Sequence, residues 1–174
     1  MEIGFNVASK GSLATLEYVV KMAQTGEDMG FDIVCVSDHV VVPKTIDSMY
    51  PYSDTGEFAE RFGASSASGQ YMDQLTTLSY IASITSRIRL LTSVMVLPYR
   101  SPVLTAKMLS TIDVLSQGRL IVGCGIGWMK EEFEALGVAP YEERGAVADE
   151  YLKAVSYTHL RAHEPEADLV CRLL

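Results

Sequence analysis

The sequence predicts an α/β fold with a parallel sheet, and three observations carry that expectation. Leu90 to Leu97 is too uniformly apolar for a strand with one face in water, so it reads as covered on both faces, the habit of parallel sheets. The next apolar run, Arg119 to Gly123, is separated from it by a single helix-length segment that opens on Ser101-Pro102 and closes on Gly118, the plan of one βαβ unit. Strand-like and helix-like segments then alternate over most of the chain, with four strands in all.

Taken in order, Ile3 to Val7 is a short strand and Ser9 to Ser12 a loop. Thr15 is a helix cap, and Leu16, Val19, Val20 and Ala23 follow at helical spacing towards a stop near Gly30. Asp32 to Ser37 is an apolar second strand that ends in Asp38-His39. From Val40 to Met72 no periodicity persists, and prolines and glycines punctuate the stretch. A loop of that length is uncommon unless it serves a site, and Tyr50, Tyr52, Phe58, Phe62 and Tyr71 are expected to find packing partners. Asp73 caps a helix lined by Leu75, Leu78 and Ala82, which returns the chain to the third strand. In the helix after Ser101-Pro102, Leu104, Met108, Ile112 and Leu115 are expected to mark the buried face. Met129 to Leu136 is a short helix, and a further helix starts near Tyr141 with Val147, Tyr151 and Ala154.

Composition narrows the partners. The chain has 174 residues, 48% hydrophobic and 21% charged, as in an ordinary globular domain. Its formal charge of -8 lacks the basic excess that a nucleic acid or an anionic membrane would need. Met1 leads directly into a strand, with no basic-then-apolar leader and no long apolar run, so a cytoplasmic protein is expected. Cys35 and Cys124 fall in apparent buried strands and Cys171 in the tail; without CxxC spacing they suggest neither a disulfide framework nor a metal site.

The last residues read differently. Val155 to Glu164, VSYTHLRAHE, breaks the helical pattern and can be encoded by a transposon-end adapter of the kind used in sequencing libraries. Residues 1–154 are therefore expected to be the protein proper and residues 155–174 a non-native, adapter-derived tail, so His159, His163 and Cys171 are given no role.

Four motifs together resemble the N-terminal half of the bacterial-luciferase-like monooxygenase superfamily, in its coenzyme F420-dependent oxidoreductase subset. They are VSDHVVVP at Val36 to Pro43, YMDQLTTLSYIA at Tyr71 to Ala82, the long run from Arg87 to Trp128, and EEFEALG at Glu131 to Gly137. The resemblance implies a truncated TIM (β/α)8 barrel comprising about the first four βα units. A closed barrel typically needs about 250 residues, so this length would leave outer strands unpaired and the fragment inactive or self-associating.

Barrel enzymes build their sites at the C-terminal ends of the strands, and every candidate lies there. The resemblance makes His39 the catalytic acid or base, since hydride exchange at a carbonyl or alcohol needs a proton partner for the oxygen. Asp38 would contact cofactor or tune that proton. Thr92, Ser93 and Val94 would meet the cofactor ring, with the Ser93-Val94 peptide expected to be cis and bulged as in related deazaflavin enzymes. Gly125 and Gly127 would let backbone approach the cofactor, and Trp128 would stack on cofactor or substrate or fill the barrel mouth. The spacing G-x-G-x-G after the fourth strand is not a dinucleotide-binding fingerprint. Some deazaflavin relatives carry glutamate at the place of Trp128 and asparagine at that of Glu131, so their substrates do not transfer to this chain.

The implied function is hydride transfer with F420 on a small organic substrate, in a protein that could pair as a homodimer. Two alternatives stand beside it. One is an FMN-dependent monooxygenase that uses oxygen and a separate flavin reductase; the other is a non-catalytic flavin-binding protein, against which the intact Asp38-His39 pair weighs. A non-redox barrel would call for a lysine or paired carboxylates at the strand ends, where only Asp38 stands.

Overall fold

Four parallel strands lie side by side in the order in which the chain makes them: β1 (Gly4–Asn6), β2 (Ile33–Val36), β3 (Arg89–Val96) and β4 (Leu120–Gly125). This computed structural model describes residues 1–51 and 71–160. The connecting helices are α1 (Leu16–Asp28), α2 (Gln74–Ile84) and α3 (Pro102–Ser116), with α4 (Lys130–Leu136) and α5 (Arg144–Leu160) after β4. With right-handed crossovers and no reversal of strand order, successive helices fall on the same face of the sheet. They pack as a row, α1 on α2, α2 on α3 and α3 on α5. This is the layout of the first four units of a (β/α)8 barrel, not of a doubly wound sheet.

Burial follows from that one-sided covering. Val34, Val36, Leu90 and Thr92 are fully buried, whereas Cys35, Leu91, Ser93 and Ile121, one residue out of phase, are only half-buried. The expectation that the third strand is covered on both faces is corrected: side chains alternate between faces, and helices cover only one. Cys35, expected to be buried, sits on the half-open face; Cys124 is buried.

Local signals set the helix ends. The Thr15 hydroxyl accepts from the Tyr18 N–H (3.2 Å) and the Asp73 carboxylate from the Thr76 N–H (2.8 Å), so both caps form as their residue types predict. Ser101 precedes Pro102 at the start of α3, although its side chain makes no capping bond. The left-handed C-cap of α3 falls on Gln117 (φ 59°), one residue before the expected Gly118, which follows at φ 78° and donates to the Asp113 carbonyl. The guanidinium of Arg119 donates to the carbonyls of Ala82, Thr85, Ile88 and Ser116, tying the ends of α2 and α3 to the start of β4.

Two helical expectations are corrected. In α3 the buried residues are Thr105, Ala106, Leu109, Ile112 and Ser116, while Leu104 and Leu115 are exposed with Val103 and Val114. The helix is apolar on two sides, and packing against α2 and α5 selects the side with the small residues, which allow close approach. The break expected at Val155 is also absent: α5 runs on to Leu160, with Ala148 and Val155 buried. Tyr52, Phe58, Phe62, His163 and Cys171, singled out above, lie outside the described residues.

Candidate functional site

Parallel strands point all their C-terminal ends to one rim, and the residues after β2, within β3 and after β4 meet there. His39 follows β2 and is 9% exposed; its Nδ1 lies 2.6 Å from Oε2 of Glu132 on α4. The other oxygen of Glu132 accepts from the N–H groups of Val40 (2.7 Å) and Val41 (3.0 Å). Glu132 is fully buried, and these groups are the hydrogen-bond partners of its carboxyl oxygens. The ring of Tyr71 meets that of His39 edge-on, with centroids 5.3 Å apart. The Tyr71 hydroxyl lies 2.6 Å from Oγ of Ser37, which lies 3.3 Å from Oγ of Ser9. Burial pushes the Tyr71 phenol up; the serine hydroxyls pull it down and the Asp38 and Glu132 charges push it up again, so it stays protonated near neutral pH. Tyr99, buried against Phe133, is driven up by burial and by the Glu132 charge.

Asp38 is adjacent to His39 but is turned to a different task. Its carboxylate forms a two-pronged pair with Arg100 (2.8 and 2.7 Å) and accepts from the Val96 N–H (2.9 Å). Its side chain has no exposure. Arg100 also reaches Asp73 at the start of α2 (3.1 Å), so one guanidinium joins the ends of β2 and β3 to the next helix. Burial alone would lower the Arg100 pKa, but hydrogen bonds and charge from Asp38 and Asp73 outweigh it and hold the guanidinium charged.

The third strand carries the irregularity expected of it. The Ser93-Val94 peptide is cis, and the pairing of β3 with β4 shifts register between Thr92 and Met95. Thr92 itself is buried, with its hydroxyl bonded to the N–H and carbonyl of Gly123 (2.8 and 2.9 Å). The glycines of β4 answer to this bulge. A Cβ on Gly123 would stand 2.5 Å from the Thr92 carbonyl oxygen, and one on Gly125 would stand 2.6 Å from Cγ2 of Val94. Gly127, at φ 82°, would place a Cβ 2.8 Å from the Phe133 ring. All three therefore admit the protein's own side chains and backbone. Trp128 is half-buried, and the Tyr50 ring meets it edge-on at 5.3 Å.

The rim thus brings together His39, Ser93, Val94 and Trp128, with Gly125 and Gly127 shaping its backbone, while Asp38 and Thr92 are engaged inside the protein. Sequence reasoning missed Glu132 and Arg100, the partners of the two residues it chose. The available signals were slight: an acidic pair in the first turn of a helix, and one arginine just past a buried strand. Lys10, which follows β1 and bridges to Tyr71, was also passed over; burial holds its ammonium below the ordinary lysine range.

On the face of the sheet that the helices leave uncovered, Cys35, Leu91, Ser93 and Ile121 are half-buried. Among the described residues no helix is long and apolar enough to cross a membrane.

Comparison with known proteins places the geometry. Residues 1–162 match the family model described as luciferase-like monooxygenase. A curated relative from Mycobacterium tuberculosis, Uncharacterized protein Rv0953c, is 35% identical over 136 residues, covering 76% of this chain and 45% of the relative. The chain spans about half the length of the curated relatives it matches first. Among solved structures, monooxygenase RslO1 from Streptomyces bottropensis superposes with TM-score 0.67 at 25% identity, over 89% of this chain and 42% of that one. Two more distant likenesses are to fold alone. An F420-dependent secondary alcohol dehydrogenase, solved with an F420-acetone adduct, gives TM-score 0.65 at 19% identity over 88% and 40% of the two chains. The oxygenating constituent of 3,6-diketocamphane monooxygenase from Pseudomonas putida, solved with FMN, gives 0.64 at 15% over 90% and 38%.

Proposed function

The chain belongs to the luciferase-like monooxygenase family, and from that premise we propose that it carries the proton-handling half of an F420-dependent oxidoreductase acting on a small organic substrate. The observation that carries this reading is the 2.6 Å contact between His39 Nδ1 and the buried Glu132 carboxylate. With Nδ1–H donating to Glu132, the ring is held in one tautomer and its exchangeable lone pair lies on Nε2. A carbonyl being reduced needs a proton on its oxygen, and an alcohol being oxidised must lose one; His39 would supply or take it. The deazaflavin, when bound, supplies the carbon that carries the hydride.

In this reading Ser93, Val94 and Trp128 contact the cofactor, and Gly125 and Gly127 keep the rim open by letting strand and helix close beneath it. Asp38 and Thr92 act as positioning residues: Asp38 fastens β2 to β3 through Arg100 and Val96, and Thr92 fastens the bulge to Gly123. The protein would work in the cytoplasm. The likeness to monooxygenase RslO1 supports a second reading in which oxygen is used, with FMN in place of F420.

Titration of the purified protein with F420 and with FMN, followed by cofactor fluorescence, separates the two. Quenching by F420, weakened in His39→Ala, is the expected result. Quenching by FMN alone moves the assignment to the oxygen-using alternative. Quenching by neither removes the redox reading.

A further inference from the structure

The segment after β2, residues 40–51, forms no helix or strand, yet its backbone N–H groups need acceptors. Two adjacent glutamates of α4 provide them. Glu132 serves Val40 and Val41, as described above. Glu131 serves the far end: its Oε1 accepts from the N–H groups of Asp47 (2.8 Å) and Ser48 (2.9 Å), and its Oε2 from the Ser48 hydroxyl (2.8 Å). The Ser48 hydroxyl in turn accepts from the Lys130 N–H (3.0 Å), so helix and segment are joined in both directions. Tyr50 lies two residues beyond Ser48 and Trp128 three before Glu131, and their rings meet at 5.3 Å and 83°.

We infer that Glu131 is a positioning residue that fastens residues 47–50 onto the start of α4 and so sets the Tyr50–Trp128 pair at the rim. A carboxylate meets the need because it can accept all three donors at once, and its negative charge suits the first turn of a helix. The surrounding donors support it: burial would raise the Glu131 pKa, but its own N–H, the Ser48 hydroxyl and the Asp47 and Ser48 N–H groups bring it below the usual carboxylate range. Glu131 therefore stays ionised and able to accept. Had it served only as a surface charge, its removal would leave Trp128 undisturbed. The fastening stands without any cofactor; its consequence for ring binding rests on the redox reading above.

Trp128 is the single tryptophan of the chain, so tryptophan fluorescence reports the surroundings of this one ring. In Glu131→Ala, which removes the acceptor of three hydrogen bonds, acrylamide quenching of Trp128 should rise, and tryptic cleavage after the exposed Lys44 should quicken by at least about tenfold, the factor for losing a single hydrogen bond to a charged group. Glu131→Gln, which keeps an acceptor oxygen, should recover part of the loss. Ser48→Ala should fall between, and Glu134→Ala, exposed on the same helix, should match the parent. If Glu131→Ala proves unfolded by circular dichroism, Glu131→Gln and Ser48→Ala decide by the same two readouts. Quenching and cleavage equal to the parent in Glu131→Ala, or in both milder variants, overturn the inference. A loosened segment in a protein whose parent binds neither F420 nor FMN supports the fastening and removes the redox reading instead.

Discussion

Nδ1 of His39 and Oε2 of Glu132 lie 2.6 Å apart although 93 positions separate them in sequence. The contact joins the residue after the second strand to the first turn of α4, and it orders the rim from both sides. Removing the carboxylate takes the acceptor from the buried imidazole N–H and from the part-buried N–H groups of Val40 and Val41. Glu132→Ala should therefore lower unfolding free energy by about 3 kcal/mol, read by urea denaturation, because breaking one side of a buried charged network leaves the rest unpaired. Glu132→Gln should cost less, since it still accepts from backbone.

Asp38 and Arg100 form the second long-range pair, with side chains 0% and 14% exposed. Arg100→Ala leaves a buried carboxylate with one backbone donor, and should cost about 3 to 5 kcal/mol in the same measurement. Arg100→Lys should also destabilise, because an ammonium cannot reproduce the two-pronged geometry. Cofactor affinity in Arg100→Lys should fall less than in His39→Ala if Asp38 positions the strands and does not itself touch the ring.

The glycines make a graded prediction. Gly123→Ala puts a methyl 2.5 Å from a backbone oxygen, and Gly125→Ala one 2.6 Å from the end of a valine side chain. Backbone yields less readily than Cγ2, so Gly123→Ala should be the worse, with overpacking costs of about 1 to 3 kcal/mol or more. Gly145, near the start of α5, has open space around it, and Gly145→Ala should stabilise by about 0.5 kcal/mol through helix propensity. Thermal melts of the three variants test the order.

Acid should loosen the fold at both ends of the sheet, at Glu27 before the third strand and at Asp73 beside Arg100. Burial would raise the Glu27 pKa, but the N–H groups of Ile88, Arg87 and Ser86 and the Arg87 charge outweigh it and bring it below the ordinary range. Asp73 is lowered in the same way by Thr76 and Arg100. Groups whose pKa is depressed on folding contribute stability above their unfolded pKa and lose it as pH falls through the folded one. Stability should therefore decline as pH drops through and below the usual carboxylate range. Glu27→Gln should flatten that decline while leaving stability at low pH nearly unchanged, measured by denaturant midpoints across acid pH.

Much of this molecule is legible one segment at a time. Thr15, Asp73 and Ser101-Pro102 set helix starts, and apolar runs set four strands, because capping and periodicity involve groups only a few residues apart. The order of those segments, with the motifs they carry, is enough to expect His39, Ser93 and Gly125 at strand ends on one rim. Register and packing decide the rest. Glu132 and Arg100 reach partners 93 and 62 residues away, and nothing near either one in sequence marks which of the many charged residues will be paired. The buried face of α3 could not be read because the helix is apolar on two sides, and only contact with α2 and α5 chooses between them. The glycines of β4 were visible as a pattern; that they make room for the bulge of β3 depends on two strands lying side by side, a distance that exists only once the sheet has formed.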